Sequence, residues 1–355
     1  MSVLDLARPH LLGLKPYSSA RSLAAEADVY LDANESPRVL YAASAGLNRY
    51  PAPQPPALIR EAARYYGAPP ASVLVTRGAD EGIDLLVRAF VAPGREDILI
   101  APPTYGVYAI AARLHDCGVR EVPLDAARGF AMDSGALLAA ARAHPVKLVF
   151  VCRPNNPTAN GVPLAAIEEL AAGLAGRALL VVDEAYLEFS GQPSAVPLIA
   201  KFPHVVVLKT LSKAWGLAGA RCGFMLADEK VVELMQTVRA PYPISGAAAH
   251  AVAVVFNAAG EAAMRLSVAA ILAERARLER ELRRLKCVET VYPSEANFLL
   301  ARLKGKDALF AALKTKGILI RDRGTEPGLA GCVRITVGLP EENDALLKIL
   351  GGLDG

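Results

Sequence analysis

Lys213 stands just past the apolar run Val205-Val206-Val207-Leu208, behind the hydroxyls of Thr210 and Ser212 and eight residues ahead of Arg221. Gly216 and Gly219 lie in the interval, and a glycine lets backbone come close to a ligand. Hydroxyls and an arginine around a lysine suit an anionic group beside an amine. A strand-to-helix turn with a solvated lysine accounts for the stretch equally well. The elements around it have to decide.

Those elements are regular from about residue 58 onward. Apolar runs at 73–76, 97–101, 147–152, 178–182, 205–208 and 222–226 read as strands. Helical stretches at 58–66, 83–90, 133–143 and 163–174 separate the earlier ones. Strands that are apolar throughout and alternate with helices predict an α/β fold whose mostly parallel sheet is covered on both faces. Ligands of such sheets collect beyond the carboxyl ends of the strands. Tyr105, Asn156, Asp183, Tyr186 and Lys213 all fall at or just after strand ends, which predicts one shared site.

That set matches the needs of pyridoxal phosphate. The cofactor aldehyde needs an amine, which Lys213 can supply. The pyridine nitrogen must stay protonated for the ring to act as an electron sink, and Asp183 can hold that proton. Asn156 and Tyr186 can donate to the ring oxygen, and Tyr105 offers a face for stacking. Thr210, Ser212, Arg221 and the turn Gly78-Ala79-Asp80, which opens a helix, can take the phosphate. Each residue also has a plainer account: an acidic strand end, a surface tyrosine, an Asn-Pro turn. The joint order along one chain favours the site.

The rest of the chain sets bounds. Its 355 residues suffice for two domains. A net charge of +3, with no block of like charges, gives no reason to expect nucleic acid or a membrane surface as partner. Five scattered cysteines without ligand spacing fit a reduced cytoplasmic protein and no metal. Residues 1–30, broken by Pro9, Gly13 and Pro16, read as an N-terminal arm that packs on the small domain or a partner subunit. Residues 31–241 form the large domain. The texture changes near Tyr242, and 242–355 reads as a small α+β domain with strands at 298–301, 317–320 and 332–337. The charged face of the long helix at 262–285 reads as solvated surface.

The chain also resembles the aspartate-aminotransferase-type (fold type I) pyridoxal-phosphate enzymes, and within them the histidinol-phosphate aminotransferases. The resemblance spans nearly the whole sequence. It rests on Leu31-Asp32-Ala33-Asn34-Glu35-Ser36-Pro37, Asn48-Arg49-Tyr50-Pro51, Arg77-Gly78-Ala79-Asp80-Glu81, Pro102-Pro103-Thr104-Tyr105-Gly106, Pro154-Asn155-Asn156-Pro157-Thr158, Val182-Asp183-Glu184-Ala185-Tyr186, Thr210-Leu211-Ser212-Lys213 and Arg334-Ile335-Thr336-Val337-Gly338. Two departures stand out: Ala159 where the family has glycine, which puts the loop backbone beyond Thr158 in question, and Trp215 where a smaller aromatic is expected.

The resemblance implies a ping-pong exchange between L-histidinol phosphate and glutamate or 2-oxoglutarate, in histidine biosynthesis. It implies that Lys213 carries the cofactor and shuttles a proton, that Asp183 and Tyr186 tune the ring, and that Ala79, Asp80, Thr210, Ser212 and Arg221 bind the phosphate. Tyr50 would approach that phosphate from the partner subunit, making a homodimer with shared sites. Arg334 would bind the substrate anion with Arg321 assisting and Asn156 beside them, and Tyr17 would close over the substrate. An aromatic amino-acid aminotransferase and a decarboxylase of phosphorylated amino acids share the scaffold. A cofactor-free binding protein is the rival from outside enzymes.

Overall fold

The computed structural model describes residues 2–14, 38 and 47–352. Tyr17 and the stretch 31–37 lie outside them. Strands β1 (Val73–Thr76), β2 (Asp97–Ile100), β3 (Gly118–Glu121), β4 (Val146–Cys152), β5 (Leu179–Asp183), β6 (Val205–Thr210) and β7 (Gly223–Leu226) form one sheet in the order β1-β7-β6-β5-β4-β2-β3. The pairings from β3 across to β6 are parallel, and β7 runs antiparallel to both neighbours. The sheet is therefore mostly parallel, as the alternation predicts.

Alternate residues of each central strand feed opposite cores. Val151, Val182 and Val207 join one buried cluster, and Phe150, Val181 and Leu208 the other. Helices cover both faces, so the strands carry no polar face and read as continuous apolar runs. The helix Ala79–Phe90 shows how a covering element is specified: Ile83, Leu86, Val87 and Phe90 make one buried stripe at helical spacing.

The second sheet has the order β10-β11-β9-β8, antiparallel throughout, with β8 (Val288–Val291), β9 (Phe298–Leu303), β10 (Arg321–Asp322) and β11 (Cys332–Thr336). Its core packs Leu299 and Val333 against Leu278 and Leu282 from the helix Ala258–Leu282, Leu309 and Leu313 from Lys306–Thr315, and Leu346 and Leu350 from Pro340–Gly351. No single described helix is long and apolar enough to cross a membrane.

The structure adds to the expectations and alters one of them. The strand expected at 317–320 is only Arg321–Asp322, because the preceding residues close the helix Lys306–Thr315. Gly317, at φ +74°, donates to Lys314 O, and Ile318 N donates to Leu313 O, a glycine-based helix stop. Val3, Leu6 and Ala7 are buried in the same cluster as Val231, Val232 and Leu234, so the described start of the chain packs on the large sheet's helices. Strand β8 and the helix Glu229–Val238 have no counterpart in the sequence reading. Ala159 adopts φ +64°, in the left-handed region that favours glycine, so the departure places an alanine where a glycine would sit without strain.

Candidate active site

The carboxyl ends of β1, β4, β5 and β6 meet at one edge of the sheet, and a cavity of about 310 Å³ opens above them. Eleven of the residues singled out in the sequence line it: Ala79, Asp80, Tyr105, Asn156, Asp183, Tyr186, Thr210, Ser212, Lys213, Arg221 and Arg334. The last comes from β11, so the cavity lies between the two sheets.

One end is built for an anion. The helix Ala79–Phe90 points its N-terminus at the cavity, and its N-cap Gly78 supplies no side-chain cap, which leaves first-turn N–H groups available. Arg221 reaches over Gly78, where a side-chain carbon would stand 2.9 Å from its guanidinium. Gly223 admits the same close approach: a Cβ there would meet Lys209 O at 2.6 Å and Gly78 Cα at 2.9 Å. Arg221 Nη1 lies 3.5 Å from Ser212 Oγ, and the Thr210 hydroxyl donates to Ser212 Oγ at 3.0 Å. The Asp80 carboxylate accepts from Tyr105 Oη at 2.9 Å and from Arg221 Nη2 at 3.3 Å. The side chain of Asp80 therefore orients its neighbours, and what it offers an anion is its backbone N–H.

The other end is built for a cation. Asp183 is 2% exposed; its Oδ2 accepts from Tyr108 Oη at 2.6 Å and its Oδ1 from Ala185 N at 3.0 Å. Burial pushes its pKa up, and the Tyr108 and Ala185 hydrogen bonds oppose that push. No described lysine or arginine stands within ion-pairing distance of it. Tyr108 is fully buried, stacked on Phe150 with ring centroids 4.7 Å apart, and edge-on to Tyr105. Sequence reasoning passed over Tyr108, since a tyrosine in the first turn of an apolar helix looks like core; its only signal is a position three residues after Tyr105, which precedes the helix.

Between the ends stands Lys213. Burial lowers the pKa of its amine, Arg334 and Arg221 lower it further, and Asp80 and Asp183 hold it up. Its Nζ lies 5.6 Å from the centre of the Tyr186 ring. Asn156 Nδ2 reaches Tyr186 Oη at 3.4 Å. Asn156 Oδ1 accepts from two guanidinium groups, Arg334 at 2.7 Å and Arg323 at 3.3 Å. Arg323 was not among the expected residues. Arg321, which was, pairs opposite Arg334 in the sheet but is exposed and does not line the cavity. Tyr50 also lies away from the cavity, half-exposed and stacked on Tyr242 at 4.5 Å.

A buried ionic group supports the cavity floor. Glu184 pairs with Arg153 at 3.0 Å and with Lys209 at 2.6 Å, and accepts from Ser194 Oγ and Ala195 N. Trp215 is 9% exposed and packs edge-on against Tyr65 and Phe256, so the unexpected aromatic has become core.

Known proteins share this architecture. The aminotransferase class I and II family model matches residues 18–350. A histidinol-phosphate aminotransferase of Xylella fastidiosa strain Temecula1 is 46% identical over 98% of this chain and 96% of its own length. One from Escherichia coli O45:K1 is 44% identical over 99% of this chain and 98% of its own. The solved structure of the Sinorhizobium meliloti histidinol-phosphate aminotransferase, in complex with pyridoxal-5'-phosphate, superposes with a TM-score of 0.79 at 26% identity, covering 88% of this chain and 84% of that one. The chain belongs to the class I and II aminotransferases and, within them, to the histidinol-phosphate aminotransferases.

Proposed function

We propose that the chain is a pyridoxal-phosphate-dependent aminotransferase of histidine biosynthesis that interconverts L-histidinol phosphate and 2-oxoglutarate with imidazole-acetol phosphate and L-glutamate. The observation that carries the cofactor assignment is the polarity of the cavity: an anion cradle at one end, a buried carboxylate without a described counter-cation at the other, and an amine between. A flat cation with a phosphate arm and an aldehyde fits that donor set. Arg221, Ser212, Thr210 and the N–H groups of Ala79 and Asp80 would hold the phosphate, Asp183 the ring nitrogen, Asn156 and Tyr186 the ring oxygen, and Tyr105 the ring face.

When bound, the cofactor supplies a carbonyl that takes the amino group from one substrate and gives it to the other, and a ring that withdraws electrons from Cα. The chain's own residues do the rest. Asp183 would hold a proton at the ring nitrogen, where burial strengthens an ionic contact. Lys213 is biased towards the neutral amine by burial and two arginines, which suits it to take the proton from Cα and return it nearby. Arg334 takes the substrate anion bidentately, a fit that a lysine lacks. Tyr186 and Asn156, 3.4 Å apart, would hold the ring oxygen.

A second copy of the chain completes the assembly in this reading. The helix Gly246–Val255 buries only Val252 and leaves Val254 62% exposed, and Leu47 and Tyr50 are exposed as well. Tyr50 directed outward suits reach into the partner's site. The division into residues 31–241 and 242–355, with Tyr17 closing over the substrate, belongs to the same reading. All five cysteines are buried and none is joined in a disulfide among the described residues, in keeping with the cytoplasm. The test of function is incubation with L-histidinol phosphate and 2-oxoglutarate. Glutamate formation supports the proposal. Preference for phenylalanine as donor, or release of CO2, would replace it. Sedimentation of the holoenzyme as a monomer would remove the shared site.

A further inference from the structure

The loop 153–161 carries Asn156 to the cavity and is closed on itself. Asn155 N donates to Asn160 O at 2.9 Å, and Ala159 N donates to Asn155 O at 2.8 Å. Its far side meets the segment 294–298, which leads into β9. There Glu295 N donates to Ala159 O at 2.8 Å. The Glu295 carboxylate lies over Gly161, where a Cβ would stand 2.5 Å from its Cδ. Gly161 is not among the glycines of positive φ, so its backbone makes no demand for glycine. It is the carboxylate that needs the room.

Glu295 is tied in turn to the buried ions under the cavity. Gln192 Nε2 donates to Glu295 Oε2 at 2.7 Å, and Gln192 Oε1 accepts from Arg153 Nη2 at 2.9 Å. Arg153 pairs with Glu184, the neighbour of Asp183. The Gln192 amide thus has one end on a cation and the other on an anion, and only this orientation satisfies both. From the helix Ala258–Leu282, Arg275 donates to Ala296 O at 2.6 Å, and the Glu295 charge favours its cation. Three residues beyond Glu295, Phe298 stands edge-on to Tyr186 at 5.2 Å, and the Arg334 guanidinium lies 5.4 Å from the Phe298 ring centre.

We propose that Glu295 is a positioning residue: it pins the loop that carries Asn156 to the segment that leads into β9, and so sets Arg334 over the cavity. The proposal rests on the aminotransferase reading above. Asp183, Ser212, Lys213 and Arg221 reach the cavity from the large sheet and its loops, whereas Arg334 comes from β11 and meets the loop at Asn156 Oδ1, 2.7 Å away. A pin between loop and segment governs the second group against the first. It therefore acts on substrate binding and leaves the cofactor's contacts in place.

The test compares wild type, Gln192→Glu, Gly161→Ala and the double variant Gln192→Glu/Glu295→Gln as cofactor-loaded enzymes. Gln192→Glu keeps an acceptor for Arg153 but sets a carboxylate against Glu295. Gly161→Ala pushes the Glu295 side chain off the loop. The double variant turns the contact round, with an amide at position 295 donating to a carboxylate at position 192. Each single variant should raise KM for L-histidinol phosphate and for L-glutamate about tenfold, the worth of one hydrogen bond to a charged group. Neither kcat nor the dissociation constant of pyridoxal phosphate should change, and the double variant should recover most of the KM. Unchanged KM in both single variants overturns the proposal. So does equal weakening of cofactor and substrate binding, which marks a merely structural role, or a double variant no better than Gln192→Glu. The same holoenzymes are titrated with glutarate, an unreactive dicarboxylate, read by the cofactor absorbance, and its dissociation constant should rise as KM does. If wild type transaminates neither donor, the functional reading falls and this titration alone decides Glu295: no binding to wild type, or the same binding to Gln192→Glu, overturns the proposal.

Discussion

Replacing Tyr108 with phenylalanine removes one oxygen atom from the core and should change how Asp183 titrates. The ring stacks on Phe150 at 4.7 Å and 12° and is fully buried, so the substitution keeps the packing. What goes is the 2.6 Å hydrogen bond to Asp183 Oδ2, which leaves Ala185 N–H as the only described donor to that carboxylate. A hydrogen bond to a charged group is worth about 1.5–3 kcal/mol, and one to the protonated acid nearer 1 kcal/mol. The cost of the substitution therefore depends on the charge of Asp183.

The sign follows from linkage. The folded pKa of Asp183 lies above its ordinary value because burial disfavours the anion, and Tyr108 offsets part of that rise. In the cofactor-free protein the unfolded chain releases this proton at lower pH than the folded chain does. Asp183 thus lowers stability as pH climbs from the ordinary carboxylate range to the folded pKa. Tyr108→Phe raises the folded pKa further and extends the window upward. Thermal unfolding of the apoproteins across pH reads it directly: the gap between wild type and variant should be small in acid and widen as pH rises. Cofactor affinity should fall by about tenfold, the equivalent of about 1.4 kcal/mol, because binding needs the anion. A gap independent of pH, or unaltered cofactor affinity, would refute the reasoning.

Three further outcomes follow from the same geometry. Lys213→Ala should abolish turnover and the lysine-dependent cofactor absorbance while leaving the unfolding midpoint nearly unchanged, because the amine it removes is poorly solvated; retained turnover would exclude the proton role. Gly223→Ala forces a methyl group against Lys209 O and Gly78 Cα, both backbone, and should cost about 1–3 kcal/mol in urea unfolding, with weaker cofactor binding. Glu184→Gln leaves Arg153 and Lys209 without their shared carboxylate and should cost about 3–5 kcal/mol by the same measurement.

The sequence carried most of the large sheet because its strands are buried on both faces and announce themselves as apolar runs. Strand β8 was hidden because Val288 is half-buried and Glu289 and Thr290 are exposed, which gives no apolar run. The cavity lining was legible where residues follow strand ends, as with Asn156, Asp183 and Lys213. Arg323 was not legible: its side chain folds back to Asn156, 167 residues earlier, and nothing local separates it from the neighbouring Arg321. Tyr108 was hidden for the opposite reason, since its polar tip is spent inside the core.

The pair Asp183-Glu184 shows where residue types stop being enough. Two adjacent acids at a strand end read as a site or as an ordinary acidic cap, and composition does not choose. Successive side chains on a strand leave on opposite faces. Glu184 turns to the side of Lys209, where Arg153 and Lys209 neutralise it, and is wholly buried. Asp183 turns to the side of Tyr108 and Cys152, where the described protein gives it hydrogen bonds but no cation. A buried carboxylate without a counter-ion is expensive, and the fold keeps one at the edge of a cavity. Glu184 is thus a structural member of the core, completed from within the chain. Asp183 is completed only by a cation from outside it, and the cavity it faces is shaped for a flat one with an anionic arm.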